Sequence, residues 1–340
     1  MKGFAVMALA ALARLREEKT ALTRDVIFVA VCDEEAGTHL GSRWLVENRP
    51  DLLGDKPEYV INEVGGFTVH LKGRRFYPIQ VAEKGVAWLR LTVAGNPGHS
   101  SLPARDSSVE RLARAVAAIS RARLPWHPSK EAMKFIEGFA APEPWISRKV
   151  APLLAHPSIG PHLLPRVVPP GSRRVSLEAI LRNTANPTCL ESDRAVNVMP
   201  EAVSVDIDGR LAIGQTASQL IKELENVIPR DLLPHVEWKI LHESPATSFS
   251  TDTELYREME EAIARADPGS YVVPSIIPGF TDSQNYATLG AQCYGFYPLQ
   301  LPDDLDFAAL FHGIDERIPI KGFHWGIETL TETLRRFLVR

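Results

Sequence analysis

The run Val26-Ile27-Phe28-Val29-Ala30-Val31-Cys32 stops abruptly at Asp33-Glu34-Glu35-Ala36-Gly37. Seven apolar residues in a row, most of them β-branched, predict a strand covered on both faces rather than an amphipathic edge. In open α/β sheets, ligands collect where such strands end. Two adjacent carboxylates at that point suit a metal site in which one binds the ion while its free neighbour takes a proton from water. A solvated acidic loop capping the next helix is the other reading.

At 340 residues the chain exceeds what one core usually fills, and two domains are expected. The apolar share of 45% furnishes a sizeable core, and a net charge of -4 with interspersed signs points to neither nucleic acid nor a membrane as partner. Cys32, Cys189 and Cys293 are scattered without a Cys-x-x-Cys pair, so a reducing, cytoplasmic location is expected. The opening Met1-Lys2-Gly3 and the apolar stretch Phe4 to Ala13 have some features of a secretory signal. The helical pattern continues through Leu15 into a polar end, however, and a structural helix is the preferred reading.

A helix over 41–48 and a strand Tyr59-Val60-Ile61-Asn62 follow, and Glu63 ends that strand as Glu34-Glu35 end the first. Parallel strands finishing in carboxylates place those acids at one sheet edge, where oxygen and imidazole ligands suit zinc or a neighbouring ion. Beyond Glu83 the texture changes. The strand-like Ala87 to Val93, a helix over 107–122, a Pro-rich helical insertion near 124–180, an alternating strand Ala202 to Asp208 and a helix over 216–228 suggest an α+β module. A long helix from Asp252 to Ala266, short strands near Cys293 and a terminal helix ending at Arg340 complete the chain. The expected domains are 1–82 and 244–340 as one α/β unit, with 83–243 inserted between them.

Several segments carry a resemblance when taken in order. They are Met1-Lys2-Gly3, Asp33-Glu34-Glu35, Asn62-Glu63, Gly98-His99-Ser100-Ser101-Leu102-Pro103, Asn183 to Thr188, Asn197-Val198-Met199-Pro200, Asp208-Gly209-Arg210, Gly279-Phe280-Thr281-Asp282 and His312 to Arg317. The chain resembles the co-catalytic zinc exopeptidases and deacylases that include aminoacylase, carboxypeptidase S, carboxypeptidase G, acetylornithine deacetylase and succinyl-diaminopimelate desuccinylase. The resemblance implies a zinc-exopeptidase-like catalytic sheet flanked by helices, with an inserted α+β ferredoxin-like lid that forms a homodimer. It implies two zinc ions, replaceable by cobalt or manganese, and hydrolysis of an amide in an N-acyl amino acid or small peptide bearing a free carboxylate.

Residue by residue, Glu34 resembles the family's general base, and Glu35 and His312 resemble ligands of one ion. Glu63 resembles a ligand of the other. His99 resembles the lid histidine that reaches a partner's active site to polarise the carbonyl. Asn197, Arg210 and Gly279 resemble substrate-binding positions, and a guanidinium at Arg210 matches a free carboxylate well. A serine hydrolase using Ser100 or Ser101 is set aside, since Gly-x-Ser-x-Gly is absent.

The sequence also departs from the family pattern. The family's bridging Asp immediately precedes its Met-Lys-Gly segment, and an upstream His-x-Asp supplies further ligands; this sequence opens at Met1-Lys2-Gly3. With those groups missing, the expectations are weak metal binding, impaired hydrolysis and an exposed apolar sheet edge, or a non-catalytic, dimerising ligand-binding protein. Val64 stands where relatives often have Gly.

Overall fold

A computed structural model describes every residue except 55, 103–104, 193–195, 306 and 340, and leaves the side chain of residue 308 undescribed. Pro103 of the His99 segment and the terminal Arg340 therefore lie outside the described residues. The chain forms two compact units, one of residues 1–83, 133–149 and 248–340, the other of residues 84–132 and 150–247. Among the described residues no helix is long and apolar enough to cross a membrane.

The first unit is built on a mixed sheet. Strand Tyr59–Asn62 runs parallel to Gln292–Gly295, which meets Arg74–Glu83 in antiparallel register at Gly295 and Gln80. Arg74–Glu83 also pairs in parallel with Tyr271–Ile277 and antiparallel with Val69–Leu71. It is buried without a break from Phe76 to Glu83, as a strand inside a covered sheet must be. The helix Lys2–Glu17 buries Phe4, Met7, Ala11 and Leu15, one stripe at helical spacing, and packs on Ile320–Val339. That terminal helix also packs on Glu254–Ala266, whose first turn is capped by the Thr253 hydroxyl accepting from the Tyr256 amide.

One expectation fails here. Val26–Cys32 is neither a strand nor covered: among the described residues it pairs with nothing, and Ile27 is 50% exposed. Its composition favours an extended backbone, but a strand is completed only by neighbours that take up its N–H and C=O groups. Its side chains instead line an open apolar groove of about 420 Å³ with Leu40, Trp44 and Leu52. Gly41 lets the backbone pass close to the run, because a Cβ there would lie 1.9 Å from the Cys32 carbonyl oxygen.

The second unit follows the order strand, helix, strand, strand, helix, strand. Its antiparallel sheet has the spatial order Thr184–Glu191, Ala202–Leu211, Gly85–Ala94, Val236–Ser244. Fourth beside first beside third beside second is the ferredoxin-like arrangement. Helices Ser108–Arg121 and Ala217–Val227 cover one face, where Leu112, Ala115, Leu220 and Leu224 meet Leu89, Leu91, Val205 and Ile207. Ala202–Leu211 alternates buried and half-buried positions, as its period-2 pattern predicts. The second helix starts in a Thr216/Gln219 capping box. The Pro-rich insertion is helical, with Gly160–Val167 and Ser172–Leu181 in this unit.

Candidate functional site

The acidic loop is shaped by its own backbone. Asp33 sits in the left-handed region at φ 70, its carboxylate accepts from the Leu40 amide at 2.8 Å, and its carbonyl accepts from Thr38 N at 2.8 Å. Asp tolerates that conformation better than most residues. The short turn Glu34–Ala36 follows, and Glu35 Oε1 lies 3.1 Å from His312 Nε2. Both side chains are about three-quarters exposed, at 75% and 73%. Residues almost a chain length apart thus form a carboxylate–imidazole pair.

Glu34 and Glu63 complete the neighbourhood. Burial, then the charges of Glu63, Glu35, Asp282 and Glu83, push the Glu34 carboxyl up to about 8. Glu63 is also raised, chiefly by burial; Asp282 and Glu35 add to this, while the Met1 amine and His312 oppose it. Asp282 is raised by burial, partly offset by a hydrogen bond donated by the Ser42 hydroxyl. Carboxyls raised chiefly by burial, with neighbouring carboxylates adding to the rise at Glu34 and Glu63, form a site a cation would relieve.

Beneath them lies a buried polar network that the sequence does not announce. Glu83, 1% exposed, ends the strand Arg74–Glu83. Its Oε1 accepts from Thr281 Oγ1 at 2.5 Å and Gln80 Nε2 at 2.7 Å, and its Oε2 accepts from Thr281 N at 3.2 Å. Burial raises its carboxyl to about 7 against the pull of those hydrogen bonds. Asn62 donates to Thr281 Oγ1 at 3.1 Å and Ser283 Oγ at 3.3 Å, tying the residue before Glu63 to the same loop. Asp282 and Glu83 carried a usable signal, since one sits in the Gly279–Asp282 segment and the other, like Glu63, ends a strand in a carboxylate. Gly279 opens that loop, and a Cβ there would meet nothing within 4 Å.

The chemistry of this donor set, carboxylates with an imidazole, fits zinc or a similar divalent ion. Among the described residues no three His, Cys, Asp or Glu side chains converge closely enough to hold one. Glu35 and His312 are the pair in contact; the charge of Glu35 raises Glu34 and Glu63, and that of His312 lowers Glu63.

His99, Asn197 and Arg210 belong to the second unit. Gly98–His99 pairs antiparallel with Val198–Met199, and Ser100 N donates to the Asn197 carbonyl at 3.1 Å, so His99 and Asn197 flank one short two-stranded ladder. His99 Nδ1 lies 2.8 Å from Ser101 Oγ, and both groups are exposed. Arg210 is partly buried on strand Ala202–Leu211, its Nε 3.1 Å from Asp208.

Comparison with known proteins gives a consistent set of findings. The model of Peptidase family M20/M25/M40 matches residues 1–336. An N-fatty-acyl-amino acid synthase/hydrolase, PM20D1.1, of Danio rerio is 30% identical over 250 residues, which cover 72% of this chain and 46% of that protein. Aminoacylase-1 of Homo sapiens is 24% identical over 342 residues, 98% of this chain and 69% of the relative. An M20 family metallo-carboxypeptidase structure from Sulfolobus solfataricus superposes with a TM-score of 0.63 at 16% identity, over 99% of this chain and 75% of that one. The chain spans about half the length of the first curated relatives it matches, 46% and 50%.

Proposed function

Because the chain belongs to peptidase family M20/M25/M40, we propose that it is a metal-dependent hydrolase of an amide bond in an N-acyl amino acid or small peptide with a free carboxylate. The observation that carries this reading is the gathering of Glu34, Glu35, Glu63 and His312 in one electrostatic neighbourhood, with Glu34 raised to about 8. Relatives named for N-acyl amino acid and carboxypeptidase chemistry support the substrate class.

In this reading Glu35 and His312 would hold one divalent ion and Glu63 would contribute to a second, with zinc the first choice and cobalt or manganese as substitutes. Such ions supply Lewis acidity toward the scissile carbonyl. Glu34 Oε, ionised once a nearby cation lowers its proton affinity, takes a proton from the attacking water and returns it to the leaving amine. Arg210 offers a planar fork to the substrate carboxylate, Asn197 a hydrogen bond, and Gly279 an open approach to its backbone. His99, supplied by a second copy through the ferredoxin-like unit, stabilises the developing oxyanion. The exposed free thiols of Cys32 and Cys189 support a cytoplasmic setting.

A second reading, a non-catalytic dimer that binds carboxylate ligands, is favoured by one observation: no three ligand side chains converge among the described residues. Zinc content and hydrolysis of N-acyl amino acids in the presence of zinc separate the two. Hydrolysis that Glu34→Ala abolishes while metal content is kept supports catalysis. Less than one zinc per chain, no turnover, and carboxylate binding lost in Arg210→Ala support the binding protein.

A further inference from the structure

Backbone strain gathers at the acidic loop. Among the described residues, seven other than glycine take a positive φ, and four of them bracket this site: Asp33 before Glu34, Thr38 at the end of the loop, Val64 after Glu63, and His312 itself. Thr38, at φ 67, and Val64 are the hardest to hold, because a β-branched side chain crowds its own backbone in the left-handed region. Thr38 is nevertheless fixed and only 2% exposed. Its amide donates to the Asp33 carbonyl at 2.8 Å, and its carbonyl accepts from the amides of Gly41 and Arg43 at 3.2 Å each. Strain of this kind persists only where the surroundings over-determine it.

The decisive contacts come from the far end of the chain. Asn285 Nδ2 donates to Thr38 Oγ1 at 3.0 Å and to Ser42 Oγ at 2.8 Å, so one amide group spans the end of the loop and the start of helix Ser42–Asn48. The fully buried Ser42 hydroxyl donates in turn to the Asp282 carboxylate, and the Asn285 backbone amide donates to the Asp282 carbonyl at 3.0 Å. Asn285, Ser42 and Asp282 thus form a closed circuit inside the first unit, with Thr38 pinned to it. Bonds within the loop shape its turn, whereas these bonds fix the turn against Asp282, whose charge acts on both Glu34 and Glu63.

We propose that Asn285 is a positioning residue of the acidic site: its amide locks Thr38 in the left-handed conformation and so sets where Glu34 and Glu35 project. Chemistry by side chains on a loop demands such support from an outer layer of hydrogen bonds. The inference rests on the proposed hydrolase reading for what those carboxylates do, and on the hydrogen bonds alone for what holds them.

The test compares the whole chain as wild type, Asn285→Ala and Tyr77→Phe. Tyr77→Phe removes a buried bond of the same unit, 2.8 Å to Asp267 near the start of strand Arg74–Glu83, and so reports what lost stability does by itself. Hydrogen exchange is followed in chelator-treated protein, and zinc affinity by competition with a chromophoric chelator. Asn285→Ala should speed exchange of the Thr38 and Arg43 amides at least about tenfold and weaken zinc by a similar factor, the lower end of what a lost outer hydrogen bond costs a metal site. Tyr77→Phe should do neither. Thr38→Val, which keeps the side chain's shape without its acceptor, should reproduce these effects if Asn285→Ala fails to fold, and Thr38→Ser, which keeps the hydroxyl, should behave as wild type. Unchanged loop exchange in Asn285→Ala, equal acceleration in Tyr77→Phe, or wild-type zinc affinity despite a loosened loop would overturn the proposal. A wild-type chain that takes up no zinc would sink the hydrolase reading alone, and the exchange rates would still decide whether Asn285 holds the loop.

Discussion

Replacing Glu83 by Gln should flatten the pH dependence of stability in the first unit. Glu83 is 1% exposed, and its carboxyl is raised from 4.5 to about 7 by burial. Between those values the folded chain keeps a proton that the unfolded chain has released. Its contribution is fully present below pH 4.5 and is lost as pH rises through 7. At 1.36 kcal/mol per pKa unit, the loss from pH 5 to pH 8 is on the order of 2–3 kcal/mol. Gln fills the same volume and does not titrate. The assay is urea unfolding of chelator-treated protein at pH 5 and pH 8, paired with hydrogen exchange of the Arg74–Glu83 amides. Those amides report the first unit without interference from the second. Wild type should lose roughly 2–3 kcal/mol more than Glu83→Gln over that interval, since Glu34, Glu63 and Asp282 titrate in both proteins. Equal losses in the two proteins would show that Glu83 is already ionised at pH 5, and the account of its burial would be wrong.

Four further outcomes are expected. Lys84→Met removes the donor that satisfies the carbonyls of Ala179 and Arg182, and should cost about 2–3 kcal/mol by denaturant melting. Val64 is a β-branched residue at φ 63 beside Glu63. Val64→Gly should therefore stabilise the protein by about 0.5–1 kcal/mol, the left-handed strain relieved less the added chain entropy, and raise Tm. The groove along Val26–Cys32 should bind an environment-sensitive dye such as ANS, and Val29→Lys should lower that fluorescence with a stability change within about 0.5 kcal/mol. Zinc binding at pH 7 should release roughly one proton, because a Glu34 carboxyl near 8 is mostly protonated there. Calorimetry in two buffers of different ionisation enthalpy counts that proton, and Glu34→Gln should remove it.

Local pattern was a dependable guide where a residue's neighbours in sequence are also its neighbours in space. The helix expected from Phe4 through Leu15, the alternating strand from Ala202 and the helices expected over 107–122, 216–228 and from Asp252 to Ala266 all formed where their patterns indicated, within a residue or two at their ends. The motif segments alone carry a resemblance to the family whose model matches residues 1–336. The strongest apolar run was the exception. Val26–Cys32 has strand composition, yet pairing is a property of two segments, and its own residues carry no information about what lies alongside.

The sequence by itself therefore determined the helices, the period-2 strands and which carboxylates close which segments, because propensity, capping and periodicity are short-range effects. Tertiary structure alone decided that Glu35 meets His312, that Asp282 and Glu83 press on Glu34, and that Asn285 reaches Thr38 and Ser42. Proton affinity and long-range hydrogen bonds depend on burial and on groups brought from distant parts of the chain, and only folding sets those distances.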